Sequence, residues 1–344
     1  MARVKRSDVA KLAGVAPSTV SLVLNGRGEQ VKLSSDTIER VQKAARELNY
    51  IPNSTARSLR LGGSRLIGLV LAELPDDPFV PVIHKVLTSA MIEARRSDYF
   101  ILPLHQQHDL GEADLISALK NVELAGVLCE TTSAPDFVSQ VMDSQRIPLV
   151  WLELIESDQD FKGDGIVRLD ETAGVKEILA ELDIPQDAKV FFLAGPYQHH
   201  HRHLPILAHF EANGSMLRLP DWQAESAYRA SLKLLNENPD IKLIWCADDS
   251  QASGVFRAAR ELEIQIPQQL SVIGFGNHVP EEADILGLTT VDWPLETMTK
   301  EAVKLLTQTL SGKEPNSESH CQTRAVWRSS AKRTTEPSTS DRTI

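Results

Sequence analysis

Residues 7–24 read "SDVAKLAGVAPSTVSLVL". Val9, Ala10 and Leu12 stand ahead of Gly14, and Val20, Val23 and Leu24 follow it. A glycine between two short apolar segments supplies the turn that lets two helices cross sharply. Pro17 fits the first turn of the second helix, where no amide donor is needed. Further on, "SSDTIERVQKAARELNY" offers Ser34 or Ser35 as an N-cap, then Ile38, Val41, Ala45 and Leu48 at helical spacing. The expectation is a three-helix unit built round a helix-turn-helix.

Charge agrees with that reading. Residues 1–65 carry twelve Lys and Arg against five Asp and Glu, a net of +7, and the remaining residues carry 24 against 42, a net of −18. A basic head on an acidic body confines contact with a polyanion to the head. Cys129, Cys246 and Cys321 are odd in number and far apart, which argues against a disulfide scaffold or a thiolate metal site. Apolar runs such as "RLIGLVLAEL" are far short of a membrane span. The N-terminus is basic but lacks the apolar core of a signal peptide. The expectation is a cytoplasmic protein that is nucleoid-associated when bound to DNA, with no membrane partner.

From Ser64 onward the pattern changes. "RLIGLVLAEL", "YFILPLH", "LAGVLCE" and "IPLVWLEL" read as short strands, separated by helix-like stretches such as "FVPVIHKVLTSAMIEARR". The alternation repeats after about residue 160 with "GIVRLD", "KVFFLAG", "SMLRLP", "KLIWCAD" and "LSVIGFG". Such alternation predicts parallel sheets wrapped by helices.

"DVAKLAGVAPSTVSLVLNG", "ELNYIPNSTARSLRLG" and "SRLIGLV" together resemble the LacI/GalR family of transcription regulators, densely over residues 3–70 and more loosely to about 330. The resemblance implies an all-α helix-turn-helix head at 1–52, a hinge helix and linker at 53–63, and an α/β body. That body would hold two parallel-sheet, Rossmann-like subdomains of the periplasmic-binding-protein type. Their expected extents are 64–158 plus 288–318, and 159–287 plus 319–333. In this scheme "LTTVDW" and the helix after it cross back to the first half, "QTRAVWRSS" returns to the second, and 334–344 is a disordered tail.

By the same resemblance, Pro17, Ser18 and Leu22 match base-reading positions, while Ser7, Thr19, Ser21 and Asn25 complete the head's DNA-binding set. Thr19 and Ser21 stand where hydroxyls meet phosphate or sugar. Family members often carry Arg or Lys at the position of Leu22; a leucine can pack only on an apolar edge such as a thymine methyl. Ala16 replaces the common Ser and forfeits a helix cap worth roughly 1 kcal/mol. The loop "NGRGEQVKLSS" is longer than is usual for the family. Asn53, Ala56, Arg57 and Leu59 match the hinge helix, with Leu59 as the wedge that enters the minor groove and Arg57 and Arg60 near phosphates. A hinge this short is expected to fold only on DNA, paired with its twin.

In the body, the resemblance places Asp76 and Phe79 in the loop after the first strand, with Asp77 beside them. It also brings Trp222, Asp249 and Asn277 to a cleft between the halves, at the carboxyl ends of strands. Where the family reads "GYDD" this chain reads "GFGNH", so Gly276 and Asn277 replace both acids. Where many members carry a ligand-binding Arg, this chain reads "HHHRH", and the Arg falls on Arg202 or His203, with His201 beside them. For Asp249 and Trp222, loop capping or ordinary packing is a reading of equal weight.

The implied function is a homodimeric, sequence-specific repressor of carbohydrate or related metabolic genes. It binds a palindromic double-stranded operator and is controlled by a small effector, with an anion as one hypothesis. An effector-free regulator, set by a protein partner or by abundance, is the alternative, and a solute-binding protein a remote one. No enzyme motif, catalytic residue or cofactor is expected. The His199–His203 cluster is not expected to hold a metal, because adjacent histidines on a loop seldom converge on one ion.

Overall fold

A computed structural model describes residues 4–50, 63–71, 81–105, 111–131, 135–155, 159–196, 201–313 and 317–334. The chain divides into two compact units, 1–65 and 66–344.

Among its described residues the first unit holds three helices: α1 (Arg6–Ala13), α2 (Pro17–Leu24) and α3 (Ser35–Glu47). Gly14 ends α1 in the left-handed conformation, φ 64°, as the turn requires. Val9, Ala10, Ala13, Val20, Val23, Val41, Ala44 and Ala45 form its core. Ser34 caps α3: its Oγ accepts from the Thr37 N–H at 3.2 Å. Ala16, at the N-cap of α2, provides no side-chain cap. The long loop after α2 is an ordered turn, in which Val31 N–H donates to Arg27 O and Leu33 N–H to Gly28 O.

Among its described residues the second unit contains two six-stranded sheets. In chain order its elements are β1 (Leu66–Leu71), α4 (Pro81–Arg96), β2 (Phe100–His105), α5 (Gly111–Asn121), β3 (Gly126–Glu130), α6 (Pro135–Gln145), β4 (Leu149–Leu152), β5 (Gly165–Asp170) and α7 (Ala173–Glu181). They continue with β6 (Val190–Ala194), α8 (Leu204–Phe210), β7 (Gly214–Arg218), α9 (Ala224–Glu237), β8 (Leu243–Cys246), α10 (Asp249–Glu261), β9 (Ser271–Gly276) and α11 (Pro280–Leu286). The last four are β10 (Thr289–Asp292), α12 (Leu295–Leu310), β11 (Glu318–Gln322) and β12 (Arg324–Val326).

The first sheet runs β11-β5-β4-β3-β1-β2 and the second β12-β10-β9-β8-β6-β7. All pairings are parallel except β10 with β12. The near-continuous apolar strands follow from burial on both faces; β1, β3, β4, β8 and β9 are buried almost throughout. One core cluster takes residues from both sheets, α4, α7, α8 and α12. Further clusters lie under α9 and α10 on the second sheet, and under α5 and α6 on the first. Gly126 marks a close approach, where an added Cβ would stand 2.8 Å from Leu306 of α12.

Three strands depart from the expected halves. "GIVRLD" forms β5 beside β4 in the first sheet, "LTTVDW" supplies β10 beside β9 in the second, and β11 lies wholly in the first. The physical reason is local. Strands β4 and β5, and β9 and β10, are each joined by about a dozen residues, a span that suits a parallel crossover within one sheet. The chain therefore changes sheets after Asp170, after Asp292 and between Gln322 and Arg324. Two of these crossings are tied together: Thr323 N–H donates to Asp170 O at 3.1 Å, and Gly174 N–H donates to the Thr323 hydroxyl at 2.9 Å. Thr334 belongs to the folded unit, its N–H donating to Glu181 O at 2.8 Å, and 335–344 lie outside the described residues. Cys129 and Cys246 are buried and Cys321 half-buried, all as free thiols. Among the described residues no helix is long and apolar enough to cross a membrane.

Candidate functional site

On the head, α2 buries Val20 and Val23 and turns its N-terminal end outward. Pro17 and Ser18 are exposed there, and Thr19, Ser21 and Leu22 are half-buried along the helix. Ser7 is exposed on α1. Asn25 at the C-cap is not idle: its amide donates to the Ser21 backbone carbonyl and lies 3.5 Å from the Ser21 hydroxyl. The structure thus brings Pro17, Ser18 and Leu22 to one helix. Asn53, Ala56, Arg57 and Leu59 lie outside the described residues, as do Asp76, Asp77 and Phe79.

In the body, side chains gather just beyond the carboxyl ends of strands. Arg202 precedes α8, and it is buried rather than presented to solvent, at 2% exposure. Its guanidinium pairs with Glu171, which is fully buried: Nε donates to Oε1 at 2.7 Å, and the His201 backbone N–H donates to Oε2 at 2.9 Å. Arg202 Nη1 donates to Ala247 O at 2.7 Å, and the guanidinium stacks on Phe275 at 3.7 Å and faces Trp293 at 5.4 Å. Of the neighbouring histidines, His201 and His203 are half-buried, and the His203 ring lies 5.8 Å from Phe192. Among the described residues no cluster of three His, Cys, Asp or Glu could hold a metal; His199 and His200 lie outside them.

Asp249 and Asn277 form a second network. Asp249 accepts from the Thr290 hydroxyl and the Asn277 N–H, each at 2.6 Å. Burial, then the neighbouring Asp248 carboxylate, pushes the Asp249 carboxyl up to about 7. Asn277 donates to Asp292 at 2.8 Å and accepts from Arg328 at 3.2 Å. These bonds pin β9, β10 and the C-terminal segment to one another. Trp222 is also packed: an added Cβ on Gly195 would stand 2.2 Å from its ring.

Four residues that the sequence reading passed over complete the cluster. Glu171 sits at the first sheet crossing. Asp248 caps α10, accepting from Ser250 N–H at 2.8 Å. His278 follows β9 and Trp293 follows β10, with rings 5.6 Å apart. Both His278 nitrogens and the Trp293 indole nitrogen are buried without a hydrogen-bond partner. Burial pulls the His278 imidazole down to about 4, the Asp248 carboxylate at 4.0 Å opposing it. The sequence signal was the "GFGNH" departure, whose glycine makes room for the ring.

Comparison with known proteins covers most of the chain. Residues 7–53 match the profile of bacterial regulatory proteins of the lacI family, and residues 195–331 that of a periplasmic binding protein-like domain. The chain is 29% identical over 336 residues to the HTH-type transcriptional repressor PurR of Erwinia tasmaniensis, covering 92% of this chain and 93% of the relative. It is 28% identical over 319 residues to the ribose operon repressor of Bacillus subtilis, covering 89% and 91%. The fold matches a crystal structure of the lac repressor dimer bound to operator and the anti-inducer ONPF, at a TM-score of 0.78 and 22% identity, covering 96% of this chain and 99% of that one. With the helix-turn-helix head and the two-sheet body in place, this chain joins a head of the bacterial lacI type to a periplasmic binding protein-like domain.

Proposed function

We propose that the protein is a sequence-specific DNA-binding repressor that acts in the cytoplasm as a homodimer on a two-fold operator and answers to a small molecule in the body. The observation that carries the DNA-binding reading is the outward end of α2, where Pro17 and Ser18 are exposed while Val20 and Val23 anchor the helix. The curated relatives are regulators rather than enzymes, and the solved relative binds operator as a dimer together with a small molecule. The body supports pairing: Met91 and Ile92 on α4, Phe100 on edge strand β2 and Met216 on edge strand β7 are exposed large apolar side chains, of the kind that interfaces cover.

Selection of bound DNA from a random pool tests the reading. A palindromic site is expected, with A·T at the base pair facing Leu22, because leucine can meet a thymine methyl but not the hydrogen-bonding edge of guanine. Recovery of unrelated sequences, with affinity set by salt alone, would refute it. Leu59→Ala is expected to weaken specific binding and leave salt-sensitive non-specific binding intact; equal loss of both would argue against the wedge.

A further inference from the structure

We propose that His278, together with the indole N–H of Trp293, reads an uncharged ligand in the body's cleft, and that Glu171 makes the cleft refuse anions. The inference rests on the reading that the body takes a small effector, and it names the chemistry of that effector.

The argument starts from unmet hydrogen bonds. Buried polar groups are paired in nearly all native structures, so each exception calls for a cause. Here both His278 nitrogens and the Trp293 indole nitrogen are orphaned within one ring contact of 5.6 Å. The imidazole is neutral near pH 7, since burial holds it at about 4, so it offers one donor and one acceptor. Trp293 adds a donor. Asp248 stands 4.0 Å from His278 Nε2, and its side chain retains 19% exposure. Such a set suits hydroxyls or the amide edge of a heterocycle, which both give and accept hydrogen bonds.

The imidazole also holds a place that the backbone reserves for it. Gly276 has φ 127°, and an added Cβ there would lie 2.6 Å from His278 Nε2. Any side chain at 276 would evict the ring. The cation that would attract an anion is already spent: Arg202, 2% exposed, is held by the fully buried Glu171, by Ala247 O and by the Phe275 ring. This weighs against the anionic effector that the "HHHRH" stretch first suggested.

The test uses the full-length protein and matched probes: glucose against glucose 6-phosphate, and adenosine against adenosine 5′-monophosphate, by calorimetry and thermal shift. The uncharged member of one pair is expected to bind at least tenfold tighter than its anionic partner, and the pair that responds separates sugar from nucleobase recognition. His278→Phe is expected to cut that affinity at least tenfold, and Glu171→Gln to raise affinity for the anionic member at least tenfold. If Glu171→Gln fails to fold, Glu171→Gln/Arg202→Met serves: it is expected to keep the uncharged preference and gain no anion affinity. Preference of the unaltered protein for an anionic member, an unchanged affinity in His278→Phe, anion gain in the double variant, or no binding of any probe would each overturn the proposal. Operator release, followed in parallel, separates the two readings. Selective uncharged binding without release would sink the regulatory reading alone, and release by an anionic member alone would sink this one.

Discussion

Replacing Arg202 by Met takes from the fully buried Glu171 carboxylate the guanidinium that Nε holds at 2.7 Å, while the His201 N–H at 2.9 Å stays in place. Stripping one partner from a buried ion pair costs about 3–5 kcal/mol, because the remaining charge stays desolvated and unpaired. Glu171→Gln errs the other way. It keeps an acceptor for His201 N–H but takes the counter-charge from a guanidinium that also meets Ala247 O, the Phe275 face and Trp293; a similar cost of about 3 kcal/mol is expected. The double variant Glu171→Gln/Arg202→Met removes both charges, preserves the His201 contact and places a thioether against Phe275. It is expected within about 1–2 kcal/mol of the unaltered protein, giving a coupling energy of roughly 3 kcal/mol or more. Against a total stability on the order of 5–15 kcal/mol, each single change should shift a urea-denaturation midpoint visibly at constant slope. Two small and additive single effects, each under about 1 kcal/mol, would refute the reasoning and mean that the pair is solvated in solution.

Three further outcomes follow from the same structure. Asp249, held at about 7 against 3.8, favours the folded state below its unfolded value and loses that contribution as pH rises to about 7; His278, held at about 4 against 6.5, contributes above 6.5 and loses it as pH falls to about 4. Between pH 4 and 6.5 the two slopes oppose each other, so Asp249→Asn should make stability rise with pH and His278→Phe should make it fall, by roughly 1.4 kcal/mol per unit at most; denaturation profiles that track the unaltered protein in both variants would count against these environments. Ala16→Ser, at an N-cap of φ −69° and ψ 150° that lacks a side-chain bond, should stabilise the head by about 0.5–1 kcal/mol in thermal melts. Gly254→Ala would set a Cβ 2.2 Å from Ala224 O and 2.8 Å from Tyr228 N; because backbone rather than side chain must give way, the loss should be about 2 kcal/mol, read as a fall of roughly 4–8 °C in the body's Tm.

The head and most of the body's elements were legible in the sequence, though not β11, "ESHCQ". Gly14, Pro17 and the apolar positions of α1 to α3 specify short-range geometry, and short-range geometry is what a linear pattern encodes. The strands were legible for a similar reason, since burial on both faces writes an unbroken apolar run. Which sheet a strand joins is another matter. Strands β5 and β10 look alike whichever half they enter, and only the short β4–β5 and β9–β10 crossovers, closed in three dimensions, assign them; β11, "ESHCQ", has no apolar signature and is placed by its pairing with β5. The site shows the division most clearly. "HHHRH" drew attention to Arg202 and "GFGNH" to a lost acid, but neither stretch names Glu171, which lies 31 residues before Arg202 and comes to it only because the chain changes sheets after Asp170. Likewise, nothing in "GFGNH" says that the His278 ring folds over Gly276. Charge pairing and burial depend on distances between segments remote in sequence, and those distances are fixed by tertiary packing alone.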